Sequence, residues 1–159
     1  MEAGGTGRKF TLKRWLASTP RRTFVLYPLL VAAFEFALRG EIAIHWAAVP
    51  LLAWGYAQYR LSGNYRTSRG GGGPGIENPP VRLVDTGIYR ITRNPMYSGH
   101  LIFMLGLALS FASFAALGLL IFHLWWFHQR VLMDEVHMTA LFGAEYADYA
   151  RRVRRWGVI

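Results

Sequence analysis

The stretch YSGHLIFMLGLALSFASFAALGLLIFHLWWF, Tyr97 to Phe127, runs for 31 residues without one Asp, Glu, Lys or Arg. As a single α-helix it would be about 46 Å long, against a bilayer hydrocarbon core of about 30 Å. It therefore reads as two helices, with the small and polar residues from Ser110 to Ser113 as the turn between them. Two further apolar runs precede it: Phe24 to Leu38, whose one charge is Glu35, and Ile42 to Tyr59, which has none. Collected runs of this kind mark membrane spans, whereas a soluble core scatters its apolar residues periodically. The expected fold is all-α, a polytopic membrane protein with about four transmembrane helices.

Composition and charge point the same way. Of 159 residues 53% are hydrophobic and only 17% charged, yet the formal charge is +9, with 18 Lys and Arg against 9 Asp and Glu. Ordinary soluble domains carry about 25% charged residues, and disordered chains lack this much apolar mass. Cytoplasmic flanks of membrane proteins collect Lys and Arg, and the basic residues here do flank the runs. Arg8, Lys9, Lys13, Arg14, Arg21 and Arg22 precede the first; Arg60, Arg66, Arg69, Arg82, Arg90 and Arg93 separate the second from the third; Arg130, Arg151, Arg152, Arg154 and Arg155 follow the fourth. Only Arg39 falls in an outer loop, so both termini are expected in the cytoplasm. Trp15, Trp125 and Trp126 would sit at the inner boundary. The first run has no small-x-small cleavage site after it, so it is expected to be retained and not removed as a signal peptide.

The expected organisation is one membrane domain over 1–159: a basic cytoplasmic N-terminus (1–22), the first two spans (23–60), a glycine-rich loop (61–82) and a core (83–159). The loop, from Ser62-Gly63-Asn64 through Arg69-Gly70-Gly71-Gly72-Gly73-Pro74-Gly75, lacks the strand and glycine offsets of a phosphate cradle and reads as a hydrated linker. Arginines that flank spans argue orientation and lipid headgroups, not nucleic acid. No metal site is expected, since His45, His100, His123, His128 and His137 form no ligand pattern and the chain has no cysteine. Glu35 should face the bundle interior, lining a tunnel or paired with Tyr56 or His45.

Two segments carry polar chemistry. Asn94-Pro95 opens a helix, with proline in the first turn and Asn94 able to cap it, leaving the N–H groups of Met96, Tyr97 and Ser98 at a positive helix end. That end reads equally as a plain capped helix and as an anion site. After the fourth run, Arg130 and Asp134 share a helical face, with Glu135 about 100° round. They read as a surface ion pair or as groups receiving the amino group and hydroxyls of a polar ligand. Phe142-Gly143 stops this helix, and Glu145 to Trp156 resumes as a cytoplasmic basic amphipathic helix, its Tyr146, Tyr149, Val153 and Trp156 face suited to a membrane surface.

Taken together, Leu83-Val84-x-Thr86-Gly87-x-Tyr89-Arg90-x-x-Arg93-Asn94-Pro95-x-Tyr97-x-Gly99, Arg130-Val131-x-x-Asp134-Glu135 and Phe142-Gly143-x-Glu145-Tyr146-x-x-Tyr149 resemble the isoprenylcysteine carboxyl methyltransferase family and its phospholipid methyltransferase relatives. The resemblance runs from Leu83 to Arg155. It implies an integral membrane enzyme using S-adenosylmethionine, with Tyr89, Asn94, Pro95, Tyr97, Gly99, Asp134 and Glu135 around the cofactor. It also implies Arg130 as the residue orienting the acceptor. Asn94 stands where the family commonly has histidine, and Asp134 where it commonly has glutamate.

The expected reaction is methyl transfer to a lipophilic small molecule, lipid or lipidated acceptor at the cytoplasmic membrane interface. A carboxylate acceptor would need no base, and for an amine Glu135 or a tyrosine would take the proton. The alternative is a small non-catalytic membrane subunit that keeps the fold.

Overall fold

The computed structural model describes residues 17–73 and 79–157, and over these the chain is helical, with one isolated parallel bridge, Thr92 to Arg154, in place of any strand. The all-α expectation is met. A π-helical turn, Arg22–Leu26, leads into α1 (Tyr27–Arg39); α2 (Val49–Gly70), α3 (Pro95–Phe111), α4 (Phe114–Phe142) and α5 (Ala144–Arg152) follow. Proline occupies the first turn of α1, α2 and α3, where its missing N–H costs no helical bond. Of the residues read above, Arg8, Lys9, Lys13, Arg14, Trp15, Pro74 and Gly75 lie outside the described ones.

The long apolar run does fold as two helices. Ala112 turns into the left-handed region (φ 45°), and the Ser113 hydroxyl caps α4 by accepting from the Ala116 N–H at 3.2 Å. Arg39 fixes this turn from α1 by donating to the Ala112 carbonyl at 3.1 Å. The same guanidinium pairs with Glu35 one turn back, at 2.9 Å. Glu35 is only 3% exposed, as expected, but its partner is neither Tyr56 nor His45.

No helix among the described residues is long and apolar enough to cross a membrane, so the four expected spans do not appear as four single crossing helices. The causes are local. α1 has 13 residues and α3 has 17; α2 carries Arg60, Arg66 and Arg69 in its second half, and α4 turns polar after Phe127.

α2 and α3 cross with their backbones in contact. A Cβ on Gly55 would lie 2.4 Å from the Phe103 nitrogen, one on Gly99 would lie 2.7 Å from the Tyr59 nitrogen, and one on Gly106 would lie 2.9 Å from the Leu52 nitrogen. Buried Gln58 adds polar attachment, its Nε2 donating to the Pro95 carbonyl at 3.0 Å. Packing this close carries α2 beyond its expected end. Ser62 donates back to the Gln58 carbonyl at 2.6 Å and Gly63 lies against Met96, so Ser62-Gly63-Asn64 is helix and the loop expected over 61–82 starts at Gly71. The Gly70 carbonyl then accepts from the N–H groups of Val81 and Arg82, at 2.7 and 3.0 Å, and pins the returning strand of chain.

Gly143 (φ 52°) ends α4 where expected, and α5 folds back. Its Tyr146, Tyr149 and Val153 are buried against Leu83, Met138 and Phe142. The apolar face assigned to a membrane surface is thus spent inside the protein, because the chain after α5 is tied to the start of α3: the Arg93 N–H donates to the Arg154 carbonyl at 2.9 Å.

Candidate active site

Tying the start of α3, the polar end of α4 and α5 together encloses a cavity of about 850 Å³, within the size range of small-molecule sites. Tyr89, Asn94, Pro95, Tyr97, Arg130, Asp134 and Glu135 all line it. Gly99 does not. Its missing side chain is taken up by the α2 backbone, so it shapes the crossing and not the site.

Across the cavity the Tyr97 hydroxyl donates to Asp134 Oδ2 at 2.7 Å. The other oxygen, Oδ1, is buried without a hydrogen bond, and the Arg130 Nε is 3.7 Å from it. Burial pushes the Asp134 carboxyl above its usual range, opposed by the Tyr97 hydroxyl and the Arg130 charge. A carboxylate held this way is an acceptor waiting for a donor.

Glu135 is placed differently. Arg155 grips both its oxygens, Nε to Oε1 at 2.9 Å and Nη2 to Oε2 at 2.8 Å, and Arg93 adds Nη2 to Oε1 at 2.8 Å. Arg93 also donates to the Ala150 carbonyl at 3.1 Å, so this cluster joins α3, α4 and α5. Glu135 lines the cavity with its carboxylate held by two guanidiniums, an arrangement that competes with the roles expected of it, proton acceptor or partner of a ligand amino group.

Asn94 does not cap α3 with its side chain. Its Nδ2 donates instead to the Arg155 carbonyl at 3.0 Å, while its own carbonyl accepts from the Ser98 N–H at 3.1 Å. Of the three N–H groups expected at the helix end, Met96 and Tyr97 keep theirs without an i−4 partner in the helix. Tyr89 gives its hydroxyl to the Ser62 carbonyl at 3.3 Å, and its own carbonyl accepts from the Tyr149 hydroxyl at 2.7 Å. Burial pushes the Tyr89 hydroxyl up to about 12, so its ring is a wall and not a base.

Sequence reasoning missed Tyr146 and Tyr149 as cavity walls, and Arg66, His137 and Met138 with them. The Tyr146-x-x-Tyr149 spacing was the available signal. Burial likewise pushes the Tyr146 hydroxyl up to about 12. Among the described residues no three His, Asp or Glu converge as metal ligands. His123 is occupied by packing contacts, 3.3 Å from the Tyr27 hydroxyl and 2.8 Å from the Leu119 carbonyl, and His100 stacks on Phe24.

The described residues form an all-α bundle with a polar, aromatic-walled chamber at the joined ends of two helices, of a size that could take a small ligand. Residues 63–145 match the family model described as phospholipid methyltransferase, and the chain belongs to that family. It is also similar to protein-S-isoprenylcysteine O-methyltransferase of Schizosaccharomyces pombe, 35% identical over 72 residues, which are 45% of this chain and 30% of that protein. The corresponding Saccharomyces cerevisiae protein gives the same identity and coverage, and protein-S-isoprenylcysteine O-methyltransferase B of Arabidopsis thaliana is 33% identical over 73 residues, 45% of this chain and 37% of that one. The resemblance read from the motifs is borne out. The matched part spans about a third of the length of these relatives. No solved structure matches.

Proposed function

We propose that this chain transfers a methyl group from S-adenosylmethionine to a lipophilic or membrane-embedded acceptor at the cytoplasmic face of a membrane. The observation that carries the reading is the 2.7 Å bond between Tyr97 and Asp134, which joins two motif segments 37 residues apart across a chamber able to take a nucleoside-sized ligand. The residues fit that cofactor. Asp134 Oδ1 lacks a donor and suits its amino group or ribose hydroxyls; the Met96 and Tyr97 N–H groups and Arg66 suit its carboxylate; Tyr89, Tyr146 and Tyr149 supply aromatic walls. Bound there, S-adenosylmethionine supplies an electrophilic methyl group on a positively charged sulfur.

The protein's own work is to hold the acceptor in line and keep water out. With Glu135 locked between two arginines, a carboxylate acceptor, which needs no proton removed, fits the site better than an amine. O-methylation of the isoprenylcysteine carboxyl type is therefore preferred to phospholipid N-methylation. The membrane placement rests on exposed apolar faces: Leu29, Leu30, Phe34 and Phe36 of α1 and Phe114, Ile121, Phe122 and Trp125 of α4. Large apolar side chains exposed along two helices suit lipid contact. We read the chain as integral and multi-pass with both termini in the cytoplasm, the short helices being accommodated by bilayer thinning.

Titration calorimetry of the purified chain tests the cofactor site. Asp134→Asn should weaken S-adenosylmethionine binding by about tenfold to a hundredfold, the worth of one charge-assisted hydrogen bond. Wild-type affinity should fall as pH is lowered through the raised Asp134 pKa, because protonation removes the charge that the ligand meets, and Asp134→Asn should flatten that dependence. Saturable binding without methyl incorporation into lipid extract or a prenylated cysteine would favour the non-catalytic subunit instead. Absence of saturable binding would end the proposal.

A further inference from the structure

The chamber extends beyond the cofactor groups to a second end, walled by the turn before α1, by Tyr59 and His100, and by Trp126 of α4. Arg22 stands here, at the first position of the π-helical turn Arg22–Leu26, a rare geometry that often accompanies functional positions. Its guanidinium carbon lies 5.5 Å from the centre of the Trp126 ring, and its Nε is buried without a hydrogen bond. The one side-chain partner it has among the described residues is the Thr19 hydroxyl, at 3.4 Å; no carboxylate meets it. Arg130 lies one helical turn beyond Trp126, so two guanidiniums flank the same stretch of α4. Asp134 is the nearest acid to Arg130, and it is already bonded to Tyr97. Two cations on one cavity wall, one of them without a carboxylate partner among the described residues, favour an incoming anion.

We propose that Arg22 and Arg130 form a clamp for the carboxylate of the amphiphilic acceptor, with Arg22 setting selectivity for the ionised acid. The inference rests on the methyl-transfer reading and adds to it a residue from outside the matched segment 63–145. Trp126 packs against the Arg22 guanidinium, which also reaches the Thr19 hydroxyl, and both residues line the chamber. The acceptor's apolar chain is left to the aromatic wall beside it.

The test uses the full chain in detergent, saturated with S-adenosylhomocysteine so that no turnover occurs. Equilibrium binding is measured for N-acetyl-S-farnesylcysteine, its methyl ester, and farnesyl phosphate. Wild type should bind the free acid at least tenfold more tightly than the ester. Arg22→Gln should erase that preference, Arg22→Lys should restore part of it, and both should keep wild-type affinity for S-adenosylhomocysteine and an unchanged melting temperature. A preference that survives in Arg22→Gln, or that is absent in wild type, overturns the clamp. So does tighter, Arg22-dependent binding of farnesyl phosphate than of the acid, which would assign the site to phosphate. Failure of wild type to bind S-adenosylhomocysteine at all strikes the underlying reading first, and is told apart by that control.

Discussion

Gly99→Leu should yield no stably folded protein, and Gly99→Ala should lower stability by about 2–3 kcal/mol. At Gly99 a Cβ would meet the Tyr59 nitrogen at 2.7 Å and the Gly55 carbonyl oxygen at 2.8 Å. Both are backbone atoms of α2, which cannot rotate aside as a flexible side chain can, so the two helices must separate. Separation would also pull Gln58 from the Pro95 carbonyl and shift the start of α3, where the site begins. Gly118, inside α4, makes the contrasting case. A Cβ there meets nothing within 4 Å, so Gly118→Ala should stabilise by about 0.5–1 kcal/mol through helix propensity and a stiffer unfolded chain. Thermal melts of the three variants in one detergent check both claims. A Gly99→Ala variant that melts with wild type would show that the helices are not in backbone contact.

These glycines also show what a linear reading reaches. The turn within Tyr97 to Phe127 was legible because helix length and bilayer thickness are incompatible, and Ser113 with Ala112 supplies cap and left-handed corner where expected. The end of α2 was not legible. Ser62, Gly63 and Asn64 favour a loop by local propensity, but contact with α3 and with Met96 holds them helical. Gly99 was legible as a motif residue and not as a packing residue, since nothing along one chain reports which backbone will lie against it. Amphipathicity likewise identified the Tyr146, Tyr149 and Val153 face, but protein covers it where a membrane surface was expected.

The site divides in the same way. Pairing of the Asn94–Tyr97 segment with Asp134 was legible through the resemblance to the methyltransferase family, which implies both around one cofactor. The division of labour between Asp134 and Glu135 did not follow, being set by which neighbour the chain after α5 brings in. Arg155 arrives because the Thr92 hydroxyl and the Asn94 amide both donate to its carbonyl, at 3.1 and 3.0 Å. Those bonds place its guanidinium on Glu135 and leave Asp134 to Tyr97 and Arg130.

Glu135→Ala should therefore be more damaging to the fold than to any chemical step. It strips one carboxylate from two guanidiniums whose side chains are 10% (Arg93) and 35% (Arg155) exposed, and breaking such a cluster by removing one sign of charge costs about 3 kcal/mol. With it goes the bracing of α3 against α5, so affinity for S-adenosylhomocysteine should drop at least tenfold through the displaced cavity wall. Glu135→Gln separates scaffold from base. The amide keeps one oxygen for Arg155 and loses the charge, so it should recover part of the melting temperature and methylate a carboxylate acceptor with an unchanged pH profile. A variant that folds and binds cofactor as wild type does, yet loses methyl transfer or the acidic limb of its pH profile, would return Glu135 to the chemistry as proton acceptor. The acceptor would then be an amine, because a carboxylate oxygen already carries the electron pair it donates and has no proton to give up.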